Sequence, residues 1–153
     1  MNRRRFIYNS SIASLSVLGL NSCSQLLRDV KITILHSNDV HSQIEPFPIN
    51  HDRFPNRGGF ARRASIFEGI RSVNPNTLIF DAGDIFQGTP YFNFFLGELE
   101  LKLMKEMGYN AATIGNHEFD AGLNTLIKNI LSTNFQFIIS NYDFVISDLE
   151  GLT

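Results

Sequence analysis

Short apolar segments alternate along this chain with longer amphipathic segments, and this alternation constrains the fold more than any other feature. The apolar segments predict four strands, at residues 30–36, 77–80, 111–114 and 135–140. The segments between them predict helices at residues 58–73, 91–107 and 123–131, the second closed by Gly108. Strands joined by helical crossovers lie parallel. The predicted fold class is therefore α/β, in the order β-α-β-α-β-α-β, with a mostly parallel sheet flanked by helices.

Composition limits the classes of protein to which the chain can belong. Its 153 residues, 43% of them apolar, suffice for one domain with a buried core. The formal net charge is −2, and no basic stripe follows the N-terminus, so we do not expect nucleic acid as a partner. One Cys and four His exclude a disulfide framework and a Cys-rich zinc module.

The N-terminal segment has the pattern of an export signal. Arg3, Arg4 and Arg5 precede a short apolar stretch at residues 12–20, which is too short to span a bilayer. The arginine pair followed by apolar residues resembles a twin-arginine signal. We therefore assign residues 1–28 to an export signal and residues 29–153 to the domain, and we expect the protein in the periplasm or cell envelope.

Cys23 leaves two hypotheses open. It follows Leu20, Asn21 and Ser22, which resemble a lipoprotein cleavage box, so Cys23 would carry a lipid that anchors the protein to the membrane. Alternatively, Cys23 is an ordinary residue just after a plain cleavage site. Incorporation of a palmitate analogue distinguishes the two hypotheses.

Polar side chains follow all four predicted strands, whereas the turns that precede the strands carry no comparable set. Ligands of parallel sheets bind at the carboxyl ends of the strands. The sequence therefore predicts one functional site, at the edge where four polar segments converge: residues 37–41, 81–84, 115–120 and 141–143.

Two of these segments carry candidate metal ligands. Asp39 and His41 are two residues apart, so an extended backbone points them to the same side. Asp84 follows Gly83, and its two oxygens could bridge two metal ions. The alternatives are a turn-forming Asp39, a solvated His41 and an Asp84 that caps a turn or helix. Asp81 competes with Asp84, but we expect it to make a structural hydrogen bond.

The third segment carries candidate catalytic residues. Asn116 offers a neutral amide oxygen to a metal, and Asp120 can accept a hydrogen bond from His117. Such a pair favours the protonated imidazole, which can donate a proton to a leaving oxygen. The alternative for Asp120 is the N-cap of a helix that begins near Ala121. We expect Glu118 to be a solvated acid.

Together these motifs resemble the calcineurin-like metallophosphoesterases, whose pattern is D-x-H, then G-D, then G-N-H-[DE]. Residues 38–41, 83–88 and 115–120, together with residues 58–62, resemble the 5′-nucleotidase and UDP-sugar hydrolase branch in particular. The resemblance implies the N-terminal half of a β-sandwich catalytic domain and a hydrolase of phosphate monoesters, acting on nucleotides outside the cytoplasm. It implies two divalent ions, of Mn, Zn, Fe or Mg. One ion would be held by Asp39, His41 and Asp84, and the other by Asp84 and Asn116, with His117 and Asp120 as the catalytic dyad.

The resemblance also implies that ligands are missing. The family adds His ligands from later segments, but no His follows His117, so the second ion has only two protein ligands. We expect an incomplete catalytic domain with an exposed apolar sheet edge or face. Two alternatives follow: an inactive metal-binding remnant, or half of a split enzyme that a second polypeptide completes.

Overall fold

The computed structural model describes residues 29–142. The predicted export signal with Cys23 lies outside this range, as do Asp143 and the final residues 147–153. The contacts divide the chain into two units, Met1–Lys31 and Ile32–Thr153. All the elements described below belong to the second unit.

Four parallel strands form one sheet in sequence order: β1 Thr33–Ser37, β2 Thr77–Asp81, β3 Ala111–Ala112 and β4 Gln136–Phe137. β1 pairs with β2 over its whole length, from Thr33 opposite Thr77 to Ser37 opposite Asp81. β3 and β4 are shorter than predicted and continue the sheet through two residue pairs at each interface. The predicted α/β class and the parallel sheet are confirmed.

Within residues 29–142, four α-helices and one short 3₁₀-helix lie between or beside the strands: α1 Phe60–Val73, α2 Pro90–Phe95, α3 Glu98–Met107, the 3₁₀-helix His117–Phe119 and α4 Leu123–Leu131. The bounds of α4 agree with the prediction. The single helix predicted at residues 91–107 is wrong, because the chain forms two helices there.

The break between α2 and α3 has a steric cause. Leu96 and Gly97 both adopt left-handed backbone angles, with φ of 51° and 93°. A Cβ atom on Gly97 would lie 2.2 Å from the ring of Phe86, which is fully buried. Glycine at this position therefore lets the backbone turn against the Phe86 ring.

The C-terminal end of α3 is closed as predicted and is tied to α1. Gly108 has a φ of 72°, and its N–H donates to the carbonyl of Lys105 at 3.0 Å. The Arg71 guanidinium on α1 donates to the carbonyls of Met107, at 2.6 Å, and Gly108. A cation at these free carbonyls stabilises the negative end of the helix.

The core packs between one face of the sheet and the helices. The sheet contributes Ile79, Ala112 and Phe137, and loop residues such as Phe86 and Tyr109 also belong to the cluster. The helices contribute mostly large apolar side chains: Phe60, Phe67, Phe92, Leu101, Met104, Met107, Leu126 and Ile130.

The opposite face of the sheet is open. Ile34 and Ile138 are 63% and 58% exposed, and Leu78 between them is 37% exposed. This agrees with the expected exposure of apolar sheet surface. Among residues 29–142, no helix is both long and apolar enough to cross a membrane.

Candidate metal centre and active site

The loops that follow β1 and β2 run side by side beyond the ends of the strands. The backbone N–H of Asp39 donates to the carbonyl of Gly83 at 3.0 Å, and that of His41 donates to the carbonyl of Asp84 at 3.1 Å. These hydrogen bonds continue the pairing of the two strands. They hold both predicted ligand motifs at one edge of the sheet.

Three of the predicted metal ligands meet at this edge. One ligand atom each from Asp39, His41 and Asp84 lies within 4.8 Å of the other two. The Nε2 of His41 is 3.8 Å from a carboxylate oxygen of Asp39. Two carboxylates and one imidazole form a mixed oxygen and nitrogen set that suits a divalent transition-metal ion. The chemistry of this donor set therefore fits the metal that the sequence predicts.

The backbone of all three residues is in the left-handed region. The φ angles are 51° for Asp39, 44° for His41 and 54° for Asp84. This conformation is uncommon for residues other than glycine, although Asp and His tolerate it better than most. Strained backbone of this kind clusters at functional sites, and its cost must be offset by the surrounding structure.

Two glycines bring the loop after β3 against Asp84. A Cβ on Gly83 would lie 2.7 Å from the backbone nitrogen of Gly115, and a Cβ on Gly115 would lie 2.1 Å from Oδ1 of Asp84. Only glycine permits this approach. Asn116 follows directly and is exposed.

His117 and Asp120 form the predicted pair. The Nδ1 of His117 is 2.8 Å from Oδ2 of Asp120, and Nε2 of Gln87 donates to the same oxygen at 3.1 Å. Helix α4 begins at Leu123 after Gly122, so Asp120 is not its N-cap. Asp120 is therefore free to orient the imidazole.

The His117–Asp120 pair adjoins the candidate metal ligands. The backbone N–H of His117 donates to Oδ1 of Asp84 at 3.2 Å. The ring of His117 meets the ring of His41 edge to face, with 5.1 Å between the centroids. Five of the six predicted site residues are thus linked by direct contacts, and Asn116 is next to His117 in the chain.

The hydrogen bond between His117 and Asp120 shifts the pKa of both groups. It raises the pKa of His117, chiefly by stabilising the imidazolium, with a further contribution from the charge of Asp120. It lowers the pKa of Asp120, to which Gln87 also donates. The pair therefore favours a protonated His117 beside an ionised Asp120.

Glu118 is buried, so the prediction of a solvated acid is wrong. It is 1% exposed, and its carboxylate accepts hydrogen bonds from four backbone N–H groups. The donors are Asp84 at 3.1 Å, Ile85 at 2.7 Å, Phe86 at 3.2 Å and Gly115 at 2.5 Å. Glu118 therefore fixes the loop that carries Asp84 to the loop that carries His117.

Asp81 has the structural role expected for it. Its carboxylate accepts from the hydroxyl of Ser37 at 2.6 Å and from the N–H of Gly83 at 3.0 Å. The Ser37 hydroxyl also lies 2.7 Å from the hydroxyl of Tyr109. Burial raises the pKa of Asp81 to about 6. Asp81 thus stabilises the turn at Gly83 that precedes Asp84.

Two contacts are not apparent from the sequence: the hydrogen bond of Gln87 to Asp120 and the bridge that Glu118 forms between two loops. Gln87 lies in a glycine-rich loop with a φ of 68°, and only the fold brings its amide to Asp120. Glu118 stands among polar residues, where no local pattern distinguishes a buried acid from an exposed one. A signal that could have found Glu118 is the run of backbone N–H groups at residues 84–86, which need an acceptor if they are buried.

The chain is similar to known proteins in both sequence and fold. A family model described as calcineurin-like phosphoesterase matches residues 32–151. The snake venom 5′-nucleotidase of Gloydius brevicauda is 40% identical over 115 residues, which are 72% of this chain and 20% of that protein. The 5′-nucleotidase of Bos taurus is 40% identical over 119 residues, which are 74% of this chain and 21% of that protein.

Two solved structures share the fold. The 5′-nucleotidase precursor from Thermus thermophilus superposes with a TM-score of 0.71 at 36% identity, over 79% of this chain and 24% of that one. The NAD nucleotidase of Haemophilus influenzae gives 0.69 at 32% identity, over 79% and 25%. The chain spans about a fifth of the length of the curated relatives that it matches.

Proposed function

The chain belongs to the calcineurin-like phosphoesterase family, and we propose that it provides the metal-binding part of a 5′-nucleotidase-like hydrolase of phosphate monoesters. The observation that carries this proposal is the convergence of Asp39, His41 and Asp84, whose ligand atoms lie within 4.8 Å of one another. The proposed substrates are nucleotides, as the names of the matched relatives suggest.

Two divalent ions would be bound at the edge of the sheet. Asp39, His41 and Asp84 would hold the first, and Asp84 and Asn116 the second, with Mn, Zn, Fe or Mg as the candidates. When bound, such ions polarise the phosphate, activate a water molecule and neutralise developing charge. Asp84 would contribute to both sites through its two carboxylate oxygens, and the hydrogen bond from its backbone N–H to the Glu118 carboxylate at 3.1 Å holds it in place.

His117 would donate a proton to the leaving oxygen of the substrate. Asp120 occupies Nδ1 of His117 at 2.8 Å, which leaves Nε2 as the nitrogen that can face a substrate. Gln87 holds Asp120 in place by donating to the same carboxylate oxygen. Because the hydrogen bond raises the pKa of His117, the proton is retained to higher pH than in a free imidazole.

The ligand count favours a second candidate function. No His follows His117, so the second ion has two protein ligands from this chain. For residues 1–153, the alternative proposal is a metal-binding unit without turnover of its own. A second polypeptide that supplies the missing ligands would convert this unit into half of a split enzyme.

The proposed place of action is outside the cytoplasm. The arginine-rich start of the chain and the apolar residues 12–20 support export to the periplasm or cell envelope. Lipidation of Cys23 would add a membrane anchor. Cell fractionation with palmitate-analogue labelling tests both statements, and a cytoplasmic, unlabelled protein would contradict them.

The proposal is tested by hydrolysis of AMP and of p-nitrophenyl phosphate by the purified chain with added Mn²⁺. Asp84→Ala is the inactivating variant, and Asp52→Ala, which removes an exposed acid outside the candidate ligand set, is the matched control. Turnover that Asp84→Ala loses and Asp52→Ala keeps supports the enzyme. Mn²⁺ binding without turnover supports the metal-binding unit. Equal Mn²⁺ affinity in all three proteins overturns both.

A further inference from the structure

A pocket of about 440 Å³ is lined by Asp39 but by neither His117 nor Asp120. It lies between the loop after β1 and the start of α1. Apart from Asp39, no acidic residue lines it. Its lining combines apolar, glycine and arginine residues, among them Phe47, Gly58, Gly59, Arg57, Arg62 and Arg63.

Within residues 29–142, the three arginines of this pocket form no salt bridges, and only Arg63 interacts electrostatically with a buried carboxyl, that of Asp81. Arg62 is held in place by neutral groups, since it donates to the backbone carbonyl of Asn56 and, at 2.7 Å, to its side-chain oxygen. Arg63 lies 4.1 Å above the ring of Phe60. The charge of Arg63 acts on the carboxyl of Asp81 and lowers its pKa, so the positive charge that this part of the chain leaves uncompensated in the pocket is that of Arg57 and Arg62.

The N-terminal end of α1 adds to this charge. Gly59 is the N-cap and offers no side-chain acceptor, and the first turn contains no acidic residue. The N–H of Phe60 donates to the carbonyl of Ile44 at 2.9 Å, so the N–H groups of Ala61 and Arg62 are the ones left without a backbone partner in the part of the chain that the structure describes. These N–H groups and the helix dipole favour an anion. Gly58 and Gly59 line the same pocket as the three arginines. The positive end of the helix dipole and the guanidinium charges therefore both raise the electrostatic potential in this pocket.

We propose that Arg57, Arg62, Arg63 and the start of α1 form an anion site that binds a phosphate group. Guanidinium groups match the oxygens of phosphate with paired hydrogen bonds, and a helix N-terminus does so with backbone N–H groups. Asp39 borders both this pocket and the candidate metal group. A phosphate bound here would thus lie next to the metal site without needing a metal for its own binding.

Two sources could supply this phosphate group: a second phosphate of a substrate held at the metal group, or a free phosphate ion. The first source rests on the proposed function. The second does not, because it concerns the metal-free chain. The site itself is therefore tested without metal, and its source is tested afterwards.

The test is calorimetric titration of the metal-free full chain with inorganic phosphate and with pyrophosphate. Arg57→Gln is the main variant, because the Arg57 side chain makes no hydrogen bond within residues 29–142 that its loss could break. Arg53→Gln, an exposed arginine of the same loop outside the pocket, is the control. We expect Arg57→Gln to weaken binding about tenfold and the double variant Arg57→Gln, Arg62→Gln to weaken it further. The control should stay within twofold.

Undetectable binding by the folded wild-type chain, or equal weakening by Arg57→Gln and Arg53→Gln, overturns the proposal. Thermal melting of every variant verifies that it is folded.

The source of the bound phosphate group is then assigned with Mn²⁺ present. If Arg57→Gln weakens ADP binding about tenfold but AMP binding less than twofold, the site takes a second substrate phosphate. If it weakens inorganic phosphate alone, the site takes the free ion. If the wild-type chain with Mn²⁺ binds neither AMP nor ADP while the metal-free chain still binds inorganic phosphate, the result counts against the proposed function and leaves the anion site standing.

Discussion

The carboxylate of Glu118 accepts a hydrogen bond from the backbone N–H of Ile85 at 2.7 Å, although the two residues follow different strands. Three further N–H groups point to the same carboxylate, including those of Asp84 and Gly115. One buried anion therefore joins two loops of the candidate site. Its charge is neutralised by backbone dipoles, and no cationic side chain forms a salt bridge with it among residues 29–142.

We expect Glu118→Gln to lower the free energy of unfolding by about 3 kcal/mol, because it removes the charge and turns an amide NH₂ toward backbone donors. The change should also weaken Mn²⁺ binding about tenfold, since it loosens the loop that carries Asp84. Chemical denaturation and calorimetry measure the two effects. Glu68→Gln on the exposed face of α1 is the control, for which a change within about 0.5 kcal/mol is expected. Equal effects of the two substitutions would contradict the bridging role.

The pKa of His117 should fall when Asp120 is replaced by Asn. The carboxylate raises this pKa by its hydrogen bond and its charge, so removing the charge favours the neutral imidazole. NMR titration of the His117 ring in the metal-free chain measures the shift, with His51 as an internal control on a separate loop. If the proton of His117 is required for turnover, the high-pH limb of the activity profile moves to lower pH in the variant. An unchanged His117 titration would show that the pair has no electrostatic effect.

Asp81 should make stability fall as pH rises from about 4 to about 6. Burial raises its folded-state pKa from 3.8 to about 6, so the folded chain holds this proton more tightly than the unfolded chain does. The stabilisation is complete below the unfolded pKa and is lost as pH rises through the folded pKa. A rise in the pKa of Asp81 from 3.8 to about 6 corresponds to a decrease in the free energy of unfolding on the order of 3 kcal/mol across this pH range. Denaturation of wild type and Asp81→Asn from pH 4 to 7 isolates this effect, and a constant difference between the two proteins would refute it.

Three glycine-to-alanine substitutions should differ in sign and size for steric reasons. Gly97→Ala places a methyl group 2.2 Å from the Phe86 ring at a positive φ and should cost about 3 kcal/mol or more. Gly122→Ala meets open space, but φ of 82° and ψ of 156° lie in a region nearly confined to glycine, so it should cost about 2 kcal/mol. Gly69→Ala lies inside α1 with open space and should stabilise by about 0.5–1 kcal/mol. Thermal denaturation gives the order, and a stable Gly97→Ala variant would contradict the packing at Phe86.

The sequence predicts the elements whose signals are local. Helix α4 begins and ends where its apolar spacing predicts, and the parallel sheet follows from the alternation of strands and helices. The motifs around Asp39, Asp84 and His117 meet because parallel strands end at one edge. These predictions need only periodicity and the topology of parallel sheets.

The remaining features depend on contacts between distant segments. The apolar spacing of residues 91–107 continues through Leu96 and Gly97, and the break there is dictated by the ring of Phe86. The burial of Glu118 is set by N–H groups more than thirty positions away. Periodicity carries no information about such contacts, so one helix was predicted in place of two and Glu118 was predicted to be solvated.

The contact between Gly83 and Gly115 affects the stage of chain synthesis at which a metal ion can bind. Asp39, His41 and Asp84 leave the ribosome before the third strand does. The backbone that orients Asp84, however, packs against Gly115 and is held by Glu118, which are translated later. A nascent chain that stops before the third strand therefore contains all three ligand residues without the support that positions them. Metal affinity should consequently appear late in translation, when the loop after β3 has docked.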